Sequence, residues 1–400
     1  MTINNEHKKL NVPNLRFPEF QGEWEKCKLG NLCNVLMCKR ILAFQTNTEG
    51  GVPFYKIGTI GNAPDAYISK ELFDDYKTKY NYPHKGEVMI TCAGTVGKCI
   101  IYDGKDAYYQ DSNIVWIDNP SQCISNSFLY HLLTKVDWRK LNSTTIIRIY
   151  NDDLRNLKLS YPQIEEQQKI SRLLSLLDER IATQNKIIDK LQSLIKELNN
   201  HLYQQCGNEI ETSFADLGVS YSGLSGKTAA DFGSGKPFIT YLNVYSNNVI
   251  DETSYQYVRI DNNEKQNVVR YGDVLFTLSS ETPEEVGIGS VYLGNREVYL
   301  NSFCFGNHIT DTQKAFSPYL SYYMSTDQFR KFIYPFAQGS TRFNLCKADF
   351  EKATIKLPSL ENQKRFYKSL KTLSDKIALE EATLKQYYNQ KQYLLHQMFI

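Results

Sequence analysis

Two stretches of the chain carry apolar residues at alternating three- and four-residue spacing, and the two patterns coincide when one is shifted by 196 residues (174 to 370). In the first, Leu174, Ile181, Ile188, Ile195 and Leu202 recur every seven residues, with Leu177, Gln184, Leu191 and Leu198 between them. In the second, Leu370, Ile377, Leu384, Lys391 and Met398 alternate with Leu373, Glu380, Tyr387 and Leu394. A stripe this narrow predicts two long helices with coiled-coil seams rather than helices sunk in a globular core. A polar residue falls at the same seam position in both copies (Gln184, Glu380), so the copies share their exception as well as their register. The first helix is expected over about Glu165 to Tyr203, on the order of 58 Å at about 1.5 Å per residue. Tyr161-Pro162 and Leu357-Pro358 set the two starts, because proline disfavours helix in the residue before it.

The repeat extends beyond the helices. Gly86-Glu87-Val88-Met89-Ile90-Thr91 returns as Gly272-Asp273-Val274-Leu275-Phe276-Thr277, a turn glycine, an acid and a short buried strand. Ile101-Tyr102-Asp103-Gly104 returns as Val291-Tyr292-Leu293-Gly294, and Trp138-Arg139-Lys140-Leu141 as Phe329-Arg330-Lys331-Phe332. The offset between copies only grows along the chain, as small loop insertions in a tandem duplication require. Each half then has one plan. Short β-type runs come first (in the first half Val52–Ile60, Glu87–Cys92, Ile100–Tyr102 and Ile114–Ile117). A helix follows (Ser127–Leu141, Pro318–Phe332), then a polar loop, an extended run ending in proline, and the long helix. The fold class is α/β (α+β). Two similar globular regions, 1–160 and 206–357, alternate with long helices at 161–205 and 358–400. The helices are expected to pair within the chain as an antiparallel coiled coil with pseudo-twofold symmetry, since both strands are covalently present. Parallel pairing and pairing between chains are the alternatives.

Composition narrows the class. Four hundred residues with 42% hydrophobic and 22% charged residues describe two or three ordinary domains. The chain has no run of 18 apolar residues and no signal-like segment, so a cytoplasmic protein without membrane association is expected. The nine cysteines are scattered; Cys33 and Cys38 are the closest pair and no histidine lies nearby, so reduced, packed thiols are expected rather than a metal site. A net charge of +2 argues against a polybasic binder but leaves room for local basic patches.

Catalytic signatures are missing. Gly233-Ser234-Gly235-Lys236-Pro237 lacks the spacing and the following Ser/Thr of a phosphate loop. Asn119-Pro120-Ser121 lacks the second proline and the aromatic of an amino-methyltransferase motif, and Pro64-Asp65 has no spaced Glu-x-Lys of a nuclease. His84, His131 and His308 are dispersed and expected in core or loop. Asp178-Glu179 reads as a solvated acidic helix face.

Two globular regions joined by two similar long helices resemble the specificity subunit of type I restriction–modification systems, over essentially the whole chain. Val12-Pro13-Asn14-Leu15-Arg16-Phe17-Pro18-Glu19-Phe20 with Gly22-Glu23-Trp24 resembles that family's N-terminal arm. Tyr161-Pro162-Gln163-Ile164-Glu165-Glu166-Gln167-Gln168-Lys169-Ile170 and Pro358 through Glu361-Asn362-Gln363-Lys364 resemble its helix entries. Gly339-Ser340-Thr341-Arg342-Phe343-Asn344-Leu345 resembles the loop before the second helix. The first copy departs there, since Arg148 aligns with Asn344 and not with Arg342. The resemblance implies a non-catalytic chain whose two target recognition domains each read half of a split DNA site, with the helices as ruler. Implied partners are double-stranded DNA, two modification (methyltransferase) subunits and two ATP-dependent restriction subunits. S-adenosylmethionine, ATP and Mg would be bound by those partners, and this chain would hold no cofactor or metal. A coiled-coil scaffold whose ends bind proteins or glycans is the competing reading, and a related single-cut system a third.

Reading bases needs Arg, Lys, Asn, Gln, Ser or Thr at a surface that reaches a groove. The polar loops before the long helices supply Thr144, Thr145 and Arg148 in one half, and Ser340, Thr341, Arg342 and Asn344 in the other. Residues after the glycine-acid-strand turn form a second set: Thr91, Thr95, Lys98, and Thr277, Ser279, Ser280. Lys39 and Arg40, with Lys227 near their counterpart region, form a third. Glu281, Glu284 and Glu285 make the second copy's loop acidic.

Overall fold

A computed structural model describes residues 10–140, 148–261 and 263–400. The chain divides into two compact units, Met1–Gln184 with Thr383–Ile400, and Asn185–Ala382. Each unit therefore holds part of both long helices.

In the first unit the central sheet has four antiparallel strands in the order Asn34–Leu36, Ile114–Asp118, Val88–Thr91, Cys99–Ile101. Val88–Thr91 is buried along its whole length. Side chains alternate across a strand, so Val88 and Ile90 enter one core with Trp24, Phe128 and Leu174. Met89 and Trp116 enter another with Phe54, Phe73 and Tyr108. Burial on both faces is why this run reads as continuously apolar rather than alternating. A three-stranded sheet, Tyr67–Ile68, Val52–Tyr55, Tyr108–Tyr109, completes the second core. The expected strand from Val52 to Ile60 ends at Tyr55. Beyond it the amides of Thr59 and Ile60 both donate to the Lys56 carbonyl, which folds that run into a turn. The expected helix at Ser127–Leu141 is Asn126–Lys135 followed by a 3-10 turn at Trp138–Lys140; Leu141 lies outside the described residues.

The second unit repeats the strand order. Gly218–Ser222, Cys304–Ile309, Val274–Thr277 and Gly289–Val291 form its central sheet, and Gln256–Val258, Phe232–Ile239 and Tyr299–Leu300 the smaller one. The register repeats as well: Thr91 lies across from Ile114, and Thr277 across from Cys304. The helix expected over Pro318–Phe332 is two helices, Ser317–Tyr323 and Asp327–Ile333. Thr326 divides them, because its hydroxyl accepts the Phe329 N–H and starts a new helix.

The long helices run Ile164–Cys206 and Leu360–Gln397. All eighteen seam positions are buried or half-buried. Within the first unit Leu174 shares a core with Leu394, Leu395 and Met398. Within the second, Leu202 and Tyr203 share a core with Phe366 and Tyr367. The start of each helix thus packs with the end of the other, which is antiparallel pairing inside one chain. Asp178 is not part of a solvated face. It is 32% exposed and pairs at 2.5 Å with Lys391, itself 11% exposed, so the seam lysine has its counter-ion on the facing helix.

Candidate nucleic-acid interface

Both units gather loops at the same place, the carboxyl end of the central strand. Thr91 and Thr277 end that strand, and both are fully buried. Thr91 Oγ1 accepts the Lys98 N–H at 3.0 Å, and Thr277 Oγ1 accepts the Ile288 N–H at 3.0 Å. Each hydroxyl closes the loop that follows it. These two threonines are loop clasps, and their complete burial removes them from any contact with a groove. The loops turn back at Gly97 (φ 82°) and Gly287 (φ 64°). A Cβ at Gly97 would meet the Trp138 ring at 2.1 Å, and one at Gly287 would meet Ile333 Cδ1 at 2.3 Å, so only glycine fits.

In the first unit the loop cluster is held by backbone bonds from Ile149 N–H to Cys92 O (2.9 Å), Cys92 N–H to Asn113 O (2.7 Å) and Gln110 N–H to Tyr55 O (2.9 Å). Arg148 donates to the Ser112 carbonyl at 3.2 Å and lies 5.9 Å from the Tyr150 ring centre. Arg40 is 65% exposed and pairs with Asp111 at 2.8 Å. Lys98 Nζ donates to Ile60 O at 2.5 Å, and Thr95 is exposed in the same loop. Arg40, Lys56, Gln110, Ser112 and Asn113 line a cleft of about 350 Å³. Lys39 is placed differently, with its ammonium 5.3 Å from the Tyr80 ring centre. Thr144 and Thr145 lie outside the described residues. Sequence reasoning missed Lys56, Gln110 and Asn113. For Gln110 and Asn113 the available signal was the polar run Gln110–Asn113 directly after Tyr108-Tyr109; the structure adds that Ser112 turns there in the left-handed region (φ 53°).

In the second unit Ser279 and Ser280 pair in β-register with Asn344 and Phe343. Both serines are buried. Ser279 accepts from Arg342 at 3.3 Å and Ser280 donates to Glu285 at 3.1 Å. They position exposed groups and do not themselves face solvent, so the expectation that these strand-end serines contact bases is corrected by their burial. Ser340, Thr341, Arg342 and Asn344 are exposed on the hairpin between Ala337–Gln338 and Phe343–Leu345. Arg342 lies 5.9 Å from the Phe303 ring centre. Hydrogen bonds from Tyr245 and Ser280 hold the Glu285 carboxyl below the usual carboxylate range, so that acid is committed to holding its loop. Lys227 does not join this cluster. Its side chain is 8% exposed and pairs with Glu264, and a neutralised, covered ammonium cannot reach a phosphate or a base.

Arg148 and Arg342 occupy the same structural role although they are out of step in the alignment. Each comes from the loop ahead of a short helix (Asn151–Arg155, Lys347–Lys352) and docks at the turn after the parallel strand pair. The clasp and the arginine dock repeat, while the exposed polar groups around them differ.

Residues 21–193 and 225–387 match the family described as type I restriction modification DNA specificity domain. A putative type I restriction enzyme specificity subunit of Haemophilus influenzae is 47% identical over 170 residues, 42% of this chain and 43% of that relative. The putative MjaX specificity subunit of Methanocaldococcus jannaschii is 21% identical, over 98% of this chain and 96% of its own length. The crystal structure of the type I restriction–modification S subunit from M. genitalium superposes with a TM-score of 0.57 at 16% identity, covering 97% of this chain and 99% of that one. A structure from work on assembly and conformational transition of the type I system gives 0.54 at 17% identity, covering 93% and 96%. At such identities the structures establish the fold, and the two matched segments establish the family. The chain belongs to the type I restriction modification DNA specificity family and carries two copies of its domain.

Proposed function

We propose that each unit reads one half of a split, non-palindromic DNA site, and that the paired long helices fix the number of unread base pairs between the halves. One observation carries this reading: the scaffold of the loop cluster is duplicated while the exposed and half-buried polar side chains upon it are not. The first copy offers Arg40, Lys56, Gln110, Asn113 and Arg148; the second offers Ser340, Thr341, Arg342 and Asn344. Those residue types carry donors and acceptors suited to base edges, and two different sets suit two different half-sites. The functional division proposed is 1–160 and 206–357 as target recognition domains, with 161–205 and 358–400 as spacer helices.

Two modification subunits dock beside the helices and methylate one adenine in each half-site from S-adenosylmethionine. Two restriction subunits supply ATP-dependent cleavage. This chain contributes recognition and positioning, with no catalytic step and no cofactor of its own. The modest net charge of +2 fits a chain that must bind proteins as well as DNA. Neither the matched family nor the relatives favour a scaffold with glycan-binding ends. Among the described residues no helix is long and apolar enough to cross a membrane.

The test is methylation mapping in a host expressing this chain with its modification subunit. The expected result is one bipartite motif with two unlike halves and a fixed gap. A contiguous or palindromic motif, or methylation that does not depend on this chain, overturns the proposal.

A further inference from the structure

Each arginine lies 5.9 Å from an exposed ring, Tyr150 in the first unit and Phe303 in the second, but only in the second does the turn itself supply the ring. In the first unit the turn after Tyr108–Tyr109 is Asp111–Asn113, polar throughout, with Asp111 paired to Arg40 at 2.8 Å. In the second unit the turn after Tyr299–Leu300 ends in Phe303. Its phenyl ring is 56% exposed and lies under the Arg342 guanidinium. The ring is not on a loose loop. Phe303 N–H donates to Asn301 Oδ1 at 2.9 Å, and Phe303 O accepts from Leu278 N–H at 2.9 Å. Leu278 O in turn accepts from Leu345 N–H at 2.8 Å, which ties the turn to the hairpin carrying Arg342.

A large apolar ring fixed at the surface gains nothing from the core it leaves. In the major groove the one apolar feature on a base edge is the C5-methyl of thymine, and a phenyl ring is a suitable partner for it. A base edge lacking that methyl offers the ring only polar groups to desolvate. The Arg342 guanidinium lies over the ring face and donates to Ser279 Oγ at 3.3 Å, so guanidinium and ring are held together as one surface feature. We propose that Phe303 is a specificity-determining residue of the second unit, packing on the methyl group of a thymine in the half-site that unit reads. This rests on the DNA-reading function proposed above.

The experiment uses the chain assembled with its modification subunit and duplexes bearing the mapped site. Each thymine of the second unit's half-site is replaced in turn by deoxyuridine, which removes only the methyl group. One replacement should weaken binding by about fourfold, the worth of one buried methyl group. Phe303→Ala should weaken binding to the thymine duplex at least as much and should no longer distinguish thymine from deoxyuridine. Phe303→Leu, which restores an apolar contact, should recover part of the preference. Because Phe303 is exposed, both variants should unfold at the wild-type temperature. If the wild-type complex binds with no sequence preference, the DNA-reading function itself falls. If it binds its site specifically but no deoxyuridine replacement matters, or if Phe303→Ala keeps the same thymine preference, only the role of Phe303 is overturned.

Discussion

Gln167 and Gln363 are fully buried and make the same three hydrogen bonds 196 residues apart. Gln167 accepts from Ser125 N–H at 2.7 Å and donates to Cys123 O (2.9 Å) and Pro162 O (2.8 Å). Gln363 accepts from Phe316 N–H and donates to Lys314 O and Pro358 O, all at 2.8 Å. Each ties the start of a long helix to the N-cap of a short one (Asn126–Lys135, Ser317–Tyr323). Gln167→Leu keeps the volume but strands one donor and two acceptors, at about 1–3 kcal/mol each. Denaturant unfolding should show a loss of at least about 3 kcal/mol; a loss below about 1 kcal/mol would show that water replaces the amide. His131 invites a second measurement. It is 1% exposed, with Nε2 3.5 Å from Ser175 Oγ. Burial pushes its imidazole from 6.5 down to about 4, against the raising effect of Asp178 and with the lowering effect of Lys391. The unfolded chain therefore takes up this proton first as pH falls. The stability held by neutral His131 is complete above pH 6.5 and drains away down to pH 4, by about 3 kcal/mol in all. Stability measured over that range should fall less steeply for His131→Leu than for wild type, and parallel curves would refute the assignment.

At the scale of elements, the seam is what would let the helices act as the proposed spacer. Its apolar residues face inward along both helices, and the one lysine in it is met by Asp178. A stiff antiparallel pair holds distance better than a flexible linker. Four residues inserted after Gln192 and four after Ile377 lengthen each helix by roughly 6 Å, close to two base pairs at about 3.4 Å each. Four residues nearly preserve the apolar face, as a stutter in the heptad phase. Methylation mapping over a library of gap lengths should return the same two half-sites with a longer gap. An unchanged gap would mean that the helices do not set the distance.

At the scale of the molecule, the first unit joins Leu15–Trp24 to Gln397–Phe399, residues far apart in sequence. Leu15 N–H donates to Gln397 O at 2.9 Å, and Lys135 Nζ donates to Phe399 O at 3.0 Å. Phe399 stacks on Phe128 at 4.8 Å and meets Trp24 edge-on at 6.4 Å. Arg16 grips the buried carboxylate of Glu166 through two bonds of 2.7 and 2.8 Å. The second copy replaces that pair with Asn362 and Glu209, 2.7 Å apart. Phe399→Ala should cost about 3–5 kcal/mol. Limited proteolysis should then cut the first unit (up to Gln184, and Thr383–Ile400) while sparing Asn185–Ala382. Equal protection of both units would place the Phe399 contact outside the first unit's stability.

The duplication, the helix seams and the central strands were legible in the sequence because each rests on spacing. A heptad stripe, a proline at a helix start and a buried apolar run are properties of neighbours along the chain. The family resemblance was legible for the same reason, since its entries and loops are contiguous. The exposed polar surface proposed to read DNA was only half legible. Composition nominated Ser340, Thr341, Arg342 and Asn344, which are exposed, but also Thr91, Thr277, Ser279 and Ser280, which are buried. A hydroxyl that clasps a loop and one that faces a groove are the same residue type, and only long-range packing separates them. Gln110 and Phe303 went unnoticed because the backbone and side chains they meet, Tyr55 for one and Leu278 and Arg342 for the other, lie tens of residues away in sequence. Tertiary structure also decided that Arg148 and Arg342, misaligned by two positions, share one role. What the two copies share is the turn against which each arginine docks.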